Sequence, residues 1–361
     1  MKKMFSLIIG LLLPFSLFVN VIATEINIAR SKISSDVFDS FSKTDGSALV
    51  YVELEDVDHS AVMKVFSERY PEEYAAYMKA KTKVNYERTT EEENEMLQKA
   101  LECKREIYKE FYLLSNNEIL GSVYRETEQV FVSHYAPLAI VETTQKNAIK
   151  LAKQDHVLAI SEYVEKDAII DYIYFEENVQ SGWISEAFIA DLVLANQINR
   201  SDILRNEYDL TGEGIKIGMI EADGFPDVTN QYLCSANITL DPYYTTGDSG
   251  FGATHHATQV ATILVGSDDE DVYGVVPDAQ LYCTIGQTMY HYYYSIEWLI
   301  ECGVRIINSS MGFYTTVGLY DDCSAWVDHI AAVHDVHFVK SAGNYNENNS
   351  IMLQILTCNI K

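Results

Sequence analysis

The spacing of hydrophobic positions divides this chain into two parts. In the first part, strand-like runs rich in β-branched and aromatic residues, such as 48–54 and 157–164, alternate with segments whose apolar side chains recur at helical spacing. In the second part, from about residue 206, nearly continuous apolar runs predict strands that are buried on both faces. The pattern therefore predicts a small α+β domain followed by a larger α/β domain.

A helical segment interrupts the first part after its opening strand. Apolar side chains at helical spacing begin near residue 60, and Pro71 opens a second helix. Thr90 and Glu93 have the spacing of a capping box, which predicts the start of a long helix. We interpret residues 60–112 as a helical insertion into a ferredoxin-like α+β domain. Its acidic side chains are typical of a solvated face rather than of a metal site.

The rest of the first part continues the alternation of strands and helices. The sequence of residues 129–133 predicts a strand. A predicted helix follows, and its N-cap would be Thr143 or Thr144. Residues 183–190 predict a short amphipathic helix in an otherwise irregular connection.

The second part predicts a doubly wound, mostly parallel sheet. The predicted strands are 215–221, 280–285, 304–309 and 336–341, and the predicted helices are 256–266, 290–302 and 325–334. Sheets of this kind bind ligands at the carboxyl ends of their strands. Polar side chains gather at those ends, namely Glu221, Asn308, Ser310 and Asn344.

Composition excludes some classes of function. The formal net charge of -27 argues against a nucleic-acid partner, because phosphate binding needs clustered Lys and Arg. The six cysteines are scattered without a CxxC pair, which favours mostly buried free thiols over metal ligands. The acidic run 268–271 lacks the alternating ligands of a calcium loop, so we interpret it as a solvated loop and expect no metal and no cofactor.

The first residues have the pattern of an export signal. Basic residues at positions 2 and 3 precede an apolar stretch, 4–21, and small residues near Ala23 suit a cleavage site. The alternative is a membrane anchor, since about 18 apolar residues could just span a bilayer. Pro14 and Asn20 interrupt the stretch, so we expect a secreted protein with no membrane association after cleavage.

One histidine is the strongest candidate for chemistry. His256 is followed by small residues and an apolar run that ends at Gly266, which predicts an imidazole at the start of a buried helix. A core helix that merely begins with a histidine pair is the alternative interpretation. Glu221 ends a predicted central strand, and Asp223 would project from the same face two residues later.

Several motifs occur in the order found in one enzyme family. They are 214–221, 256–261, 274–279, 306–312 and 339–344. Together they resemble the catalytic domain of the subtilisin family of serine proteases, over residues 204–346. Residues 139–160 resemble the propeptide of the same family.

The resemblance implies a role for each matching residue. His256 would be the general base, and Glu221, or alternatively Asp223, the acid that orients it. Asn344 would donate a hydrogen bond to the oxyanion, a role for which this family supplies the standard example. Ser310, Met311 and Gly312 would bind an extended peptide or protein substrate. The propeptide would act as an intramolecular inhibitor.

Two departures from the family pattern change this interpretation. The acid is a glutamate followed by Ala-Asp, where the family has an aspartate followed by Thr-Gly. No Gly-Thr-Ser segment that could carry the nucleophile follows Asn344, and Ser350 lies in a polar stretch. We therefore expect an inactive, C-terminally truncated protease precursor. The alternative is a secreted pseudoprotease that binds peptides or acts as an inhibitor.

The predicted domain order follows from these assignments. It is a signal peptide (1–23), a leader (24–46), a propeptide domain (47–167), a linker (168–205) and the N-terminal portion of a catalytic domain (206–361). A nucleotide-binding domain is disfavoured, because no phosphate-cradling glycine loop follows Glu221.

Overall fold

The computed structural model describes residues 30–44, 46–82, 90–121, 129–169, 184–245, 251–268, 273–313 and 320–341. The chain divides into two compact units, one formed by 1–64 with 107–164 and the other by 65–106 with 165–361. The predicted signal peptide, Asn344 and most of the acidic run 268–271 lie outside the described residues.

The first unit contains a four-stranded antiparallel sheet with the strand order β2-β3-β1-β4. Its elements, in chain order, are α1 (Ser35–Lys43), β1 (Ser47–Leu54), the start of α2 (His59–Arg69), the second half of α4 (Glu91–Gly121), β2 (Gln129–Val132), β3 (Leu138–Thr144), α5 (Gln145–Ala152) and β4 (Val157–Glu162). Alternate side chains of β1 are buried under α1 and α5, which gives the unit a core of its own.

Part of the stretch before β1, which was predicted to be a leader, is helical. Residues 35–43 form α1, in which Val37 and Phe41 lie one helical turn apart and are both buried. This spacing places them on the same face, so even a Ser-rich segment can pack against the sheet.

Both predicted helix starts are present. The Thr90 backbone N–H donates to Glu93 Oε2 and the Glu93 N–H donates to Thr90 Oγ1, each over 3.2 Å, which is the reciprocal pattern of a capping box. Thr144, rather than Thr143, caps α5 by accepting from the Asn147 N–H.

The second unit is built on a five-stranded parallel sheet with the order β11-β9-β6-β8-β7. Its elements are the remainder of α2, α3 (Pro71–Thr82), the first half of α4, β5 (Ala168–Ile169), α6 (Glu186–Asn199), α7 (Ser201–Tyr208), β6 (Lys216–Glu221), β7 (Ile238–Leu240), α8 (Pro242–Thr245), α9 (His255–Val265), β8 (Gln280–Ile285), α10 (Met289–Glu301), β9 (Ile306–Ser309), β10 (Gly312–Phe313), α11 (Asp322–His334) and β11 (His337–Lys340). The predicted α/β class with a parallel sheet is confirmed.

The helices α3 and α4 join the second unit through a buried ion pair. Lys104 on α4 donates through Nζ to Asp335 Oδ2 over 2.6 Å and to the Val333 carbonyl over 2.7 Å. The neighbouring Arg105 binds the carbonyl of His334 through Nε and Nη2. The part of the helical insertion within residues 65–106 thus contacts the end of α11.

One further prediction, that of mostly buried cysteines, has a partial outcome. The five described cysteines are free thiols, of which Cys283 and Cys323 are buried and Cys234 is exposed, so burial is less general than expected. Within the described ranges, no helix has both the length and the apolar character that crossing a membrane requires.

Candidate active site

Glu221 occupies the centre of the parallel sheet. It is the last residue of β6, which lies between β8 and β9, and its side chain has no solvent exposure. A carboxylate at this position is directed toward the carboxyl end of the sheet, where doubly wound folds place their ligands.

His256 lies in the first turn of α9. The Thr254 side chain caps this helix by accepting from the Ala257 N–H, which satisfies one of the free donors of the first turn. His255 is exposed, whereas the His256 side chain is only 25% exposed and points into the unit.

The two side chains meet in a short hydrogen bond. The Nδ1 atom of His256 lies 2.6 Å from Glu221 Oε2. Asp223, the alternative acid, instead accepts a hydrogen bond from the Thr254 hydroxyl through Oδ1 over 3.1 Å. The structure therefore brings Glu221, and not Asp223, to the imidazole, which leaves the Nε2 edge of the ring free to face a reacting group.

The segment after β6 is joined to the start of α9 by backbone hydrogen bonds. The Phe225 N–H donates to the Gly252 carbonyl over 2.9 Å, and the Thr254 N–H donates to the Phe225 carbonyl over 2.8 Å. The Asp227 N–H donates to the Thr258 hydroxyl over 2.9 Å. These bonds fix the end of β6 relative to α9, and so they set the distance between the acid and the base.

Gly224 is required at this junction for steric reasons. A Cβ atom at position 224 would overlap Thr254 Cγ2 and lie 2.5 Å from the Gly252 carbonyl oxygen, which is backbone and cannot rotate away. We expect Gly224→Ala to lower the free energy of unfolding by about 1–3 kcal/mol, as measured by urea denaturation. Gly252→Ala is the matched control, since a Cβ there meets no atom within 4 Å. Equal costs for the two variants would contradict this assignment.

The pKa of each partner is raised. Burial raises the pKa of Glu221, against the opposing effect of its hydrogen bond to His256. Its second oxygen, Oε1, is buried without a hydrogen-bond partner among the described residues. Burial by itself lowers the pKa of His256, but the bond to Glu221 and the charges of Glu221 and Asp223 outweigh burial and raise it. The site thus holds an imidazole of increased basicity.

The predicted substrate-binding residues lie at the next strand end. The Asn308 side chain donates through Nδ2 to Ser310 Oγ over 2.9 Å. Met311 is buried, and Gly312 begins β10, which pairs antiparallel with β5 so that Gly312 faces Ile169. This edge therefore already accepts an extended strand of the same chain.

The segment that occupies this edge was not identified from the sequence. On the side away from β10, this segment runs along the start of α10. The Ala168 N–H donates to the Gln287 carbonyl over 2.6 Å, and the Met289 N–H donates to the Lys166 carbonyl over 3.0 Å. Residues 166–169 thus lie between two backbone edges in the manner of an extended peptide. The prediction had assigned residues from 168 onward to an irregular linker.

Two more features of the site concern the oxyanion residue and possible metal ligands. Asn344, the predicted oxyanion residue, lies outside the described residues. In the ranges that are described, no group of three or more His, Cys, Asp or Glu side chains is arranged to hold a metal ion.

The α/β fold places an acid–imidazole pair at the carboxyl end of its parallel sheet. The model of the Subtilase family matches residues 125–355, which is more than half of the chain. The chain therefore belongs to the subtilase family.

Solved structures with partial likeness include three maturation enzymes. The prenylagaramide maturation protease PagA is 23% identical, with 39% of this chain and 50% of that chain covered and a TM-score of 0.33. The patellamide maturation protease PatA is 24% identical, with coverage of 37% and 50% and a TM-score of 0.31. The PatG macrocyclase in complex with peptide is 18% identical, with coverage of 40% and 55% and a TM-score of 0.29.

The chain spans about half the length of these structures. Among curated proteins, none matches the chain.

Proposed function

We propose that this chain carries the acid, the base and part of the substrate site of a subtilase-type serine endopeptidase. The hydrogen bond between His256 and Glu221 carries this proposal, because it joins an imidazole to a buried carboxylate that is otherwise costly to bury. In this assignment His256 removes the proton from a serine nucleophile, and Glu221 holds the Nδ1–H tautomer and stabilises the imidazolium.

No Gly-Thr-Ser segment occurs after position 344, where the family pattern would place it. We propose that the 361 residues alone bind peptides without hydrolysing them. Asn344 stays assigned to the oxyanion hole on the sequence resemblance alone.

Self-inhibition is the second part of the proposal. Ala168 and Ile169 pair with β10, the predicted substrate edge, immediately after the predicted propeptide, 47–167. A strand in this position excludes a substrate strand from the same backbone groups. We propose that the end of the propeptide blocks the cleft in this way, in a precursor that is exported by its signal peptide, 1–23.

The test is to provide the nucleophile. The chain is extended in frame with a subtilase segment that carries the Gly-Thr-Ser motif, and hydrolysis of a fluorogenic peptide library is measured after removal of the propeptide. We expect cleavage by the extended chain, none by the 361 residues, and loss of cleavage in His256→Ala. Cleavage that persists in His256→Ala at the unmodified rate would exclude His256 as the base.

A further inference from the structure

A lysine lies beside the predicted substrate edge, and no described carboxylate pairs with it. Lys340 is the last residue of β11 and is partly buried. Its Nζ donates to the Met311 carbonyl, and it lies 3.3 Å from Ser341 Oγ and 3.4 Å from the Ser341 carbonyl oxygen. Each of these partners is an uncharged oxygen.

Other lysines in this unit are paired with acids. Lys104, the most buried of them, forms its ion pair with Asp335, and Lys216 lies 3.1 Å from Glu102. Among the described residues, no Asp or Glu forms an ion pair with Lys340, and the charged or titratable group that acts on it is the Cys323 thiol of α11. Burying an ammonium ion without a counter-charge is costly, so this charge is available to an anion that enters from outside.

The position of Lys340 determines which anion can reach it. The carbonyl that its Nζ contacts belongs to Met311, between Ser310 and Gly312. Gly312 pairs with an extended segment at Ile169. The ammonium group therefore lies next to the backbone edge along which a bound peptide would run.

We propose that Lys340 is a specificity-determining residue that selects substrates with an acidic side chain close to Met311. The inference rests on the proposed function, since it names the substrate class of the same cleft. An ammonium–carboxylate hydrogen bond is about twice as strong as one between neutral groups, which discriminates a carboxylate from an amide of the same shape.

The chain itself contains a sequence that fits this preference. Asp171 follows Ile169 by two positions in the sequence. The peptide acetyl-Glu-Lys-Asp-Ala-Ile-Ile-Asp-amide reproduces residues 165–171, and its variant ending in Asn differs by one charged group. This pair of peptides is a matched probe for the ammonium group of Lys340.

The experiment measures binding of both peptides to the full chain by isothermal titration calorimetry. It uses an Ala168→Pro background, which removes the hydrogen bond to the Gln287 carbonyl and so weakens the attachment of the segment that competes for the edge of β10. At pH 6.5 we expect the Asp peptide to bind roughly tenfold more tightly than the Asn peptide. Lys340→Met is expected to abolish the difference, and Lys340→Arg to keep it.

The pH dependence separates this effect from a purely structural one. Burial lowers the pKa of Lys340 to about 8, while burial raises the pKa of Cys323 to about 12, so the thiol stays neutral over the range used. The preference for the Asp peptide should therefore fall as the pH rises through about 8. In Lys340→Arg it should persist to pH 9.5, because guanidinium remains charged.

The outcomes distinguish the inference from the proposed function. Equal binding of both peptides, or a preference that survives Lys340→Met, overturns the role of Lys340 and leaves the cleft as a peptide site. If neither peptide binds the Ala168→Pro chain, even at millimolar concentration, the proposed function fails and the inference fails with it.

Discussion

Replacing Asp335 by Asn is expected to lower the free energy of unfolding of the second unit by about 3–5 kcal/mol, the usual cost of removing one partner of a buried ion pair. The Lys104 side chain is 4% exposed and that of Asp335 is 18% exposed. Without the carboxylate, the ammonium group loses its counter-charge and keeps uncharged partners such as the Val333 carbonyl and the Tyr77 hydroxyl. Asparagine tolerates the positive φ of 54° at position 335, so the change tests charge rather than backbone strain.

The same carboxylate provides the control. Lys81 binds the other oxygen of Asp335 over 2.6 Å, but the Lys81 side chain is 51% exposed. Solvent weakens an ion pair of this kind, so Lys81→Gln should cost at most about 1 kcal/mol in the same urea titration. Equal effects of Lys81→Gln and Asp335→Asn would mean that burial of Lys104 does not determine the energy of this cluster.

The ion pairs of Asp335 should also make the free energy of unfolding depend on pH. Burial alone would raise the pKa of Asp335, but Lys104 and Lys81 outweigh it and hold the pKa below its ordinary value. A carboxyl group whose pKa is lower in the folded state stabilises that state above its ordinary pKa, and the stabilisation is lost as the pH falls through the lowered value. Below about pH 4, the stabilities of the unmodified chain and of Asp335→Asn should therefore converge.

The sequence predicted strands most clearly where both faces of the strand are buried. β6, β8 and β9 were predicted because strands covered on both faces must be apolar along their length, and β11 was predicted although its side chains are exposed or only half-buried. The short strand β7, Ile238–Leu240, was missed, since three residues carry too little periodicity. The same reasoning explains the failure at α1, whose helix depends on packing against a sheet formed by distant residues.

The site was predictable in its residues but not in its contacts. Glu221 and Asp223 alternate along an extended segment, and nothing in their spacing decides which one reaches His256. The hydroxyl of Thr254 binds Asp223, and Thr254 is not part of any motif. Lys340 was missed for a similar reason, although a charged residue at the end of an apolar strand is itself a signal.

The segment that pairs with β10 was the largest omission in the site. Ala168 and Ile169 form a two-residue strand, β5, that depends on β10, a strand more than 140 residues away in the sequence. A pairing over this distance leaves no local pattern, so the segment was taken for a linker. The predicted boundaries of the functional domains stay a prediction.

Glu221→Gln is expected to change the acid–base properties of the site more than any other substitution. In the unmodified chain, the carboxylate raises the pKa of His256 against the effect of burial. When the carboxylate is replaced by an amide, burial is opposed only by the weaker charge of Asp223, so the imidazole pKa should fall below its ordinary value. NMR titration of the imidazole protons measures this change directly on the 361-residue chain.

In a chain extended with the nucleophile segment, the same substitution should lower kcat by about 10⁴-fold, the loss known for the equivalent acid-to-amide change in a serine protease triad. Glu221→Asp keeps the charge but moves the carboxylate by about 1 Å, which should cost about 10²-fold. Asp223→Asn is the matched control, because Asp223 contacts Thr254 rather than the imidazole, and its kcat should stay within about threefold of the unmodified value. If Asp223→Asn were as damaging as Glu221→Gln, the orienting acid would be Asp223, and the 2.6 Å contact of Glu221 with Nδ1 would not be the one used in catalysis.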